Sequence, residues 1–449
     1  MTIDLASRNR SAPVRLASAT VLVFSWILVF GRVAGAQSLN PADDHVPKPY
    51  PDRIILNLTE DPSASMAVTW RTSVDVAAGR AQIAVAGPNK AFEKDAQSFE
   101  SESVVLEHES GEARCHSVVF RDLAPKTKYA YRVGDGVHWS EWFHFTTASR
   151  SAEPFSFIYF GDAQNDVKPH WSRVVREAFA DAPRAAFLLH AGDLINKRED
   201  WEWGEWHRAG GWVNASIPNV MTPGNHEYGL DARRGAPAYR LTPHWRAQFT
   251  LPTNGPAGLE ETVYYCDYQG VRIVSLNSNE SFREQIPWLE GALRDNPNRW
   301  TVVTFHHPIY SAAKGRDNPL IRSLWQPVFD RYQVDLVLQG HDHAYARTGL
   351  ERMENSPTGA SARSGGTVYV VSVSGPKMYN LERDARMRRA AADTQLYQIV
   401  SIDGLELRYE ARTAVGELYD AFLLRKREGE PNELVDQIPD LPERLVNPK

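Results

Sequence analysis

The sequence predicts an all-β sandwich of about 100 residues followed by an α/β domain that holds two sheets. Three observations carry this. Five apolar runs rich in strand-forming residues end at Gly161, Gly192, Gly224, His306 and Gly340, each opening a short polar motif. Most of these motifs recur at the spacing of one βαβ unit, roughly 30 residues. Between about Pro47 and Ala148, shorter strand-like runs alternate with turn residues and show no helical period.

The amino end comes first. Arg8, Arg10 and Arg15 precede an apolar stretch from Leu16 to Phe30 and then Val33-Ala34-Gly35-Ala36. A basic start, a short apolar core and small residues at the end describe a signal peptide over 1–36, cleaved after Ala36. The apolar stretch is shorter than the ~20 residues a spanning helix needs, so no stable membrane insertion is expected after cleavage, and the protein is expected to be secreted or periplasmic.

The sandwich is expected over 45–148. Its strands read as Ile54–Leu58, Met66–Trp70, Ala81–Val85, Arg114–Phe120, Lys128–Val133 and Glu141–Thr146. Residues 149–154 read as a linker, and the α/β domain runs from 153 to 427. There the runs before Gly161, Gly192, Gly224, His306 and Gly340 read as buried strands. Glycine lets the chain turn sharply where such a strand ends, so the next side chain enters the crevice where open α/β sheets bind ligands. Asp162 to Asp193 spans 31 residues (193−162), Asp193 to Asn225 spans 32 (225−193), and His306 to His341 spans 35 (341−306). The longer gap before His306 holds strand candidates Thr262–Tyr268 and Arg272–Asn277, which suggest the second sheet. Trp201, Trp203, Trp206 and Trp212 read as packing over a sheet edge, the basic run Arg383–Arg389 as a solvated loop, and the Pro- and Glu-rich segment 428–449 as a loose tail.

Hydrophobic content of 42% and charged content of 24% are those of a globular chain. Removal of 1–36 takes four Arg and one Asp from 50 basic and 56 acidic residues, leaving 46 − 55 = −9. That acidity argues against a nucleic-acid partner. Two cysteines, Cys115 and Cys266, are too few for a disulfide framework.

The motifs are Gly161-Asp162-Ala163-Gln164, Gly192-Asp193-Leu194-Ile195-Asn196, Gly224-Asn225-His226-Glu227, His306-His307-Pro308 and Gly340-His341-Asp342-His343. Together they offer two carboxylates, one carboxamide and three imidazoles, a ligand set for two neighbouring metal ions. Their order resembles the calcineurin-like metallophosphoesterases, and purple acid phosphatases in particular. The phrase from Leu58 to Trp70 and Tyr129–Gly134 resembles the fibronectin type III-like domain that precedes the plant-type enzymes.

The resemblance implies a four-layer αββα domain and a phosphoric ester hydrolase acting on small phosphorylated substrates. It implies two divalent or trivalent ions (Fe, Zn or Mn): Asp193 bridges, Asp162 and His343 hold the first, and Asn225, His306 and His341 hold the second. A metal-activated hydroxide is the expected nucleophile, with His226 at the rim as acid or phosphoryl clamp. The chain departs from the pattern in three places. Asn196 stands where purple enzymes carry an iron-binding tyrosine, Gln164 stands where related enzymes often carry histidine, and Tyr310–Gly315 lacks the expected histidines. Gln164 and Asn196 are therefore possible ligands or supports of ligands. His307 is expected to pack beside the ligands, and Glu227 to serve as a structural acceptor or to accept from a ligand histidine rather than to act as a base. A phosphodiesterase acting on nucleotides or phospholipid headgroups, and a non-catalytic binding protein, remain as alternatives.

Overall fold

A computed structural model describes residues 44–231, 238–353 and 365–446. The expected signal segment lies outside these residues. No helix among the described residues is long and apolar enough to cross a membrane.

The amino-terminal region forms β1 (Asp52–Asn57), β2 (Met66–Ser73), β3 (Arg80–Val85), β4 (Gln97–Glu100), β5 (Glu102–His108), β6 (Gly111–Phe120), β7 (Lys128–Gly134) and β8 (Phe143–Thr146). All six expected strands appear. The sequence reading missed β4 and β5, whose residues are largely exposed and so carry little apolar pattern. One face of the sandwich is the sheet β4-β3-β7-β8.

The next strands are β9 (Phe155–Phe160), β10 (Leu188–His190), β11 (Asn219–Met221), β12 (Tyr228–Asp231) and β13 (Ala238–Leu241). A second group follows: β14 (Tyr264–Tyr268), β15 (Val271–Ser275), β16 (Trp300–Thr304), β17 (Leu336–Gln339), β18 (Tyr345–Glu351), β19 (Thr367–Val371) and β20 (Met387–Ala391). The chain closes with β21 (Leu396–Asp403), β22 (Glu406–Thr413), β23 (Leu418–Arg427) and β24 (Glu430–Asp436). Two large sheets result, ordered β24-β23-β22-β21-β9-β10-β11-β1-β2-β6-β5 and β14-β15-β16-β17-β19-β18-β20.

The first sheet crosses the expected domain boundary. β1 pairs in parallel with β11 at Asn57 and Asn219. The Asn57 amide donates to the Asn219 carbonyl at 3.2 Å, and the Asn219 amide donates to the Leu56 carbonyl at 3.2 Å. Without β1, β11 would be an edge with unpaired backbone groups. The sandwich strand satisfies them.

Side-chain alternation in the second sheet explains the layers. Ile273, Val302, Leu336, Leu338, Val368 and Val370 join the core shared with the first sheet. Their neighbours Val274, Val303, Val337 and Tyr369 pack with Leu289 and Leu293 of α4 (Ile286–Arg294) and Trp325 and Phe329 of α5 (Pro319–Tyr332). On the far side of the first sheet lie α1 (Ser172–Asp181) and α2 (Asp200–Asn214). Trp171 meets Phe160 at 5.6 Å and stacks on Trp206 at 5.9 Å. Two strand layers between two helix layers follow. A short α3 (Pro243–Gln248) packs against β2, β5 and β6 at one end of the first sheet.

Three expectations change. The segment from 428 is no loose tail: β24 pairs with β23, and Arg444 bridges Ala391. Four successive partly buried residues, among them Leu434 packed against the core, hold this strand in the sheet despite its polar composition. The basic run ends inside β20, with Arg389 buried and donating from Nε to the Tyr419 carbonyl at 3.1 Å. Trp203 and Trp206 are fully buried, as packing requires, whereas Trp212 is exposed. Cys115 and Cys266 are free and buried, and burial pushes the Cys115 thiol up to about 12.

Candidate metal centre

Each motif begins where a parallel strand ends. Asp162 follows β9, Asp193 follows β10 and Asn225 lies just past β11, all in the first sheet; His306 follows β16 and the Gly340 motif follows β17 in the second. The carboxyl ends of neighbouring strands from two stacked sheets therefore meet at one place.

Close approach explains two glycines. A Cβ on Gly224 would lie 2.2 Å from Asp193 Oδ1, and one on Gly340 would lie 2.2 Å from Asp162 Oδ1. Asp193 and His341 themselves have φ of +51° and +72°, a conformation that costs non-glycine residues energy and clusters at functional sites.

The carboxylates are oriented alike. Asp162 Oδ1 accepts from the His341 N–H at 2.7 Å, and Asp193 Oδ1 accepts from the His226 N–H at 2.8 Å. Each Oδ2 is thus turned to the centre. His306 Nε2 lies 3.2 Å from Asp193 Oδ2, and His343 Nε2 lies 3.2 Å from Asp162 Oδ2. The latter approach is not aligned as a hydrogen bond, and Asp162 Oδ2 remains buried without a partner.

The imidazoles are oriented by their outer nitrogens. His306 Nδ1 is 2.9 Å from the Ala191 carbonyl, and His343 Nδ1 is 2.8 Å from the Lys377 carbonyl. Donation there turns each Nε2 inward, where it offers a lone pair when the ring is neutral. His341 Nδ1 faces His306 Nε2 at 3.1 Å, and Asn225 Oδ1 lies 3.2 Å from the same nitrogen.

Four groups that are acceptors or can be so thus converge: Asp193 Oδ2, Asn225 Oδ1, His306 Nε2 and His341 Nδ1. Asp193, His306 and His341 offer ligand atoms within 4.8 Å of one another. Beside them Asp162, His343 and Gln164 form the adjoining half. The Gln164 amide nitrogen donates to Asp193 Oδ2 at 2.7 Å, while its buried Oε1 has no partner.

Charge points the same way. Burial pushes Asp162 up to about 8. Burial would lower His306, but the Asp193 and Asp162 carboxylates outweigh it and raise it to about 9. Burial, helped by Lys377, lowers His343 to about 3, and burial with His306 depresses His341. Neutral His341 and His343 are in the form that binds metal. Two orphaned acceptors, Asp162 Oδ2 and Gln164 Oε1, and a crowd of inward lone pairs call for cations, so the residues present fit a metal pair.

The structure brings all nine predicted site residues to this region, with differing parts. Asn196 takes part through its backbone: its carbonyl meets His226 Nδ1, and its N–H donates to Glu202 at 2.6 Å. His307 packs on His341 with ring centres 4.2 Å apart and meets Ser278 Oγ at 2.9 Å.

Glu227 takes the structural one of its two expected parts. Its carboxylate accepts from the backbone N–H groups of Asp193, Leu194 and Gly224, at 2.9, 2.9 and 2.7 Å, and so ties two ligand loops together rather than holding a histidine. Sequence reasoning missed Asp342 and Arg316. Buried Asp342 accepts from Ser311 Oγ, the Ala312 and Ala313 N–H groups, and Arg316 Nε. Its place between two ligand histidines was the available signal.

The fold and centre define a metallophosphoesterase-type domain behind a β-sandwich, and comparison with known proteins agrees. Residues 51–147 match the purple acid phosphatase N-terminal domain, and residues 155–345 match the calcineurin-like phosphoesterase family. The chain belongs to the purple acid phosphatase-like members of the calcineurin-like metallophosphoesterases. It is 28% identical over 312 residues to purple acid phosphatase 21 of Arabidopsis thaliana, covering 67% of each chain. An uncharacterized protein of Mycobacterium tuberculosis is 27% identical over 334 residues, which is 65% of this chain and 61% of that one. The chain thus spans about three fifths of that relative's length. In fold it is similar to a purple acid phosphatase from yellow lupin (Lupinus luteus) seeds, with a TM-score of 0.69 at 18% identity over 84% of this chain and 75% of that one.

Proposed function

We propose that this chain is an exported two-metal phosphomonoesterase acting on small phosphorylated molecules. The observation that carries the reading is the convergence of Asp162, Asp193, Asn225, His306, His341 and His343 from two sheets, with Asp162 Oδ2 and Gln164 Oε1 buried there without a partner. Asp162 and His343 would hold one ion, Asn225, His306 and His341 the other, with Asp193 shared and Gln164 Oε1 available to the first. Iron, zinc and manganese suit such oxygen and imidazole donors; a relative 26% identical over 263 residues is named Fe(3+)-Zn(2+) purple acid phosphatase 12, from Arabidopsis thaliana. When bound, such a pair supplies Lewis-acid polarisation and a nucleophilic water near neutral pH.

The chain's own contribution centres on His226. Its Nδ1 is engaged by the Asn196 carbonyl, and its Nε2 lies 3.9 Å from Asp193 Oδ2 at the rim. From there Nε2 can hold a phosphoryl oxygen or hand a proton to the leaving group.

The test compares an aryl phosphate monoester with the diester of the same chromophore, on protein loaded with iron, zinc or manganese. Faster monoester turnover is expected. Preferential diester cleavage would select the phosphodiesterase alternative, and no turnover at full metal occupancy would leave a binding protein. Export rests on the pattern of 1–36 and predicts a mature chain starting at Gln37, read by amino-terminal sequencing.

A further inference from the structure

Resting on the phosphomonoesterase reading, we propose that the Arg316 guanidinium is the group that receives the phosphoryl oxygens of the substrate. Arg316 lies on the loop leading from the His306 motif to α5. Its Nη2 touches His341 Nε2, on the side of the ring opposite the ligand cluster, and its Nε donates to Asp342 Oδ1 at 3.2 Å. The guanidinium lies 4.8 Å over the ring of Tyr379, and the side chain is 31% exposed. It also borders a cleft of about 400 Å³ lined by Tyr310, Ser311, Arg322 and Arg386. The group therefore lies one imidazole away from the candidate metal centre and is partly open to solvent.

The chemistry of His341 says what becomes of that contact. A neutral imidazole has one lone pair and one N–H. His341 Nδ1 faces His306 Nε2 and Asp193, so a cation bound there takes the lone pair on Nδ1. Nε2 then carries the proton and cannot accept from Arg316. The link through Nε to Asp342 does not depend on His341, and Asp342 is itself held by Ser311 Oγ and two backbone N–H groups. The side chain thus stays tethered at Nε while Nη2 loses its acceptor on His341. A planar fork with free donors matches two oxygens of one phosphoryl group, which a lysine ammonium cannot do.

The experiment uses the full metal-loaded protein with Arg316→Gln and Arg316→Lys. Metal content and thermal melting are measured first, then affinity for inorganic phosphate by calorimetry, then kcat and KM on an aryl phosphate. Both variants should keep two ions per chain and melt near the wild type. Arg316→Gln should bind phosphate ~10–100-fold more weakly, the loss expected for a hydrogen-bonded charge pair, and lose kcat/KM to a similar degree. Arg316→Lys should fall between the two.

Unchanged phosphate affinity and kcat/KM in Arg316→Gln would overturn the assignment. So would loss of metal from that variant, which would make Arg316 a support of His341 instead. If the wild type, with both ions, neither binds phosphate nor hydrolyses the ester, the functional reading fails, and that outcome is read before any variant is made.

Discussion

His226 Nδ1 lies 2.5 Å from the backbone carbonyl of Asn196, and this contact turns Nε2 toward the rim of the candidate metal centre. The position where purple enzymes carry tyrosine thus acts here through its main chain. Donation from Nδ1 to that carbonyl leaves Nε2 as the nitrogen that faces the substrate, where the imidazolium form donates to a phosphoryl oxygen or to the leaving group. His226→Ala should keep its metals and lose kcat by ~10²–10⁴-fold, with kcat/KM falling in step. The loss should be larger for alkyl than for aryl phosphates. Normal kcat on an alkyl phosphate, with full metal content, would remove His226 from the mechanism.

Asp193 Oδ2 lies beside Gln164 Nε2 and His306 Nε2, between the two halves of the centre. Asp193→Asn should bring metal content well below two ions per chain and abolish turnover, because an amide cannot serve both halves. Elemental analysis showing two ions in the variant would rule out the shared role.

Asn196 offers no phenolate, so iron-loaded protein should lack an intense visible charge-transfer band. Tyr239 and Tyr379 are the tyrosines to check: Tyr239 Oη donates to the Asn225 carbonyl at 2.9 Å, and the Tyr379 ring lies 4.6 Å from that of His343. A strong band lost in Tyr239→Phe or Tyr379→Phe would show that one of them binds iron.

Asp200, at the start of α2, ties the sandwich to the loop carrying Asp193. Arg53 Nη1 and Nη2 reach its two oxygens at 2.7 Å each, and Arg71 Nη1 reaches Oδ2 at 3.0 Å. Arg53 and Asp200 side chains are each 3% exposed, and Arg71 is 1% exposed. Asp200→Ala would leave two guanidiniums buried, Arg71 keeping Asp52 and the His45 carbonyl and Arg53 keeping the neutral Gln248 Oε1. The expected cost is ~3–5 kcal/mol in urea unfolding. A change under ~1 kcal/mol would mean that water reaches the pair.

Glu261 is a pH-sensitive element away from the centre. Burial pushes its carboxyl up to about 7, against the Leu251 N–H, which it accepts at 3.3 Å. An acid whose pKa is raised by folding adds stability that is complete below its unfolded value near 4.5 and is lost as pH rises through about 7. Glu261→Gln, which keeps an acceptor, should therefore gain stability over wild type as pH is raised from 5 to 8 (a test range), on the order of 1–3 kcal/mol. Parallel melting curves across that range would show that Glu261 stays ionised in the fold.

Much of the centre was legible because its signals are local. An apolar run ended by Gly161, Gly192, Gly224 or Gly340 announces both a strand and the residue after it, and the strand ends then bring those residues together. Glu227 was legible as a residue but not as a partner: which backbone N–H groups it meets depends on how closely the loops after β10 and β11 approach. Arg316 and Asp342 escaped for a similar reason, since their contact spans 26 residues.

The sequence by itself determined the sandwich, the strand-end residues of the candidate centre and the family, because burial and turning are written into short stretches of residue type. Tertiary structure decided the rest. It joined β1 to β11 across the expected boundary, drew Glu430–Asp436 into a sheet, and placed the Arg53–Asp200 pair out of water. Such features depend on which unpaired edge or charge finds a complement once distant segments pack. A backbone group or a charge left alone in a dry interior is costly, so the partner is set by proximity in space and leaves no periodic trace along the chain.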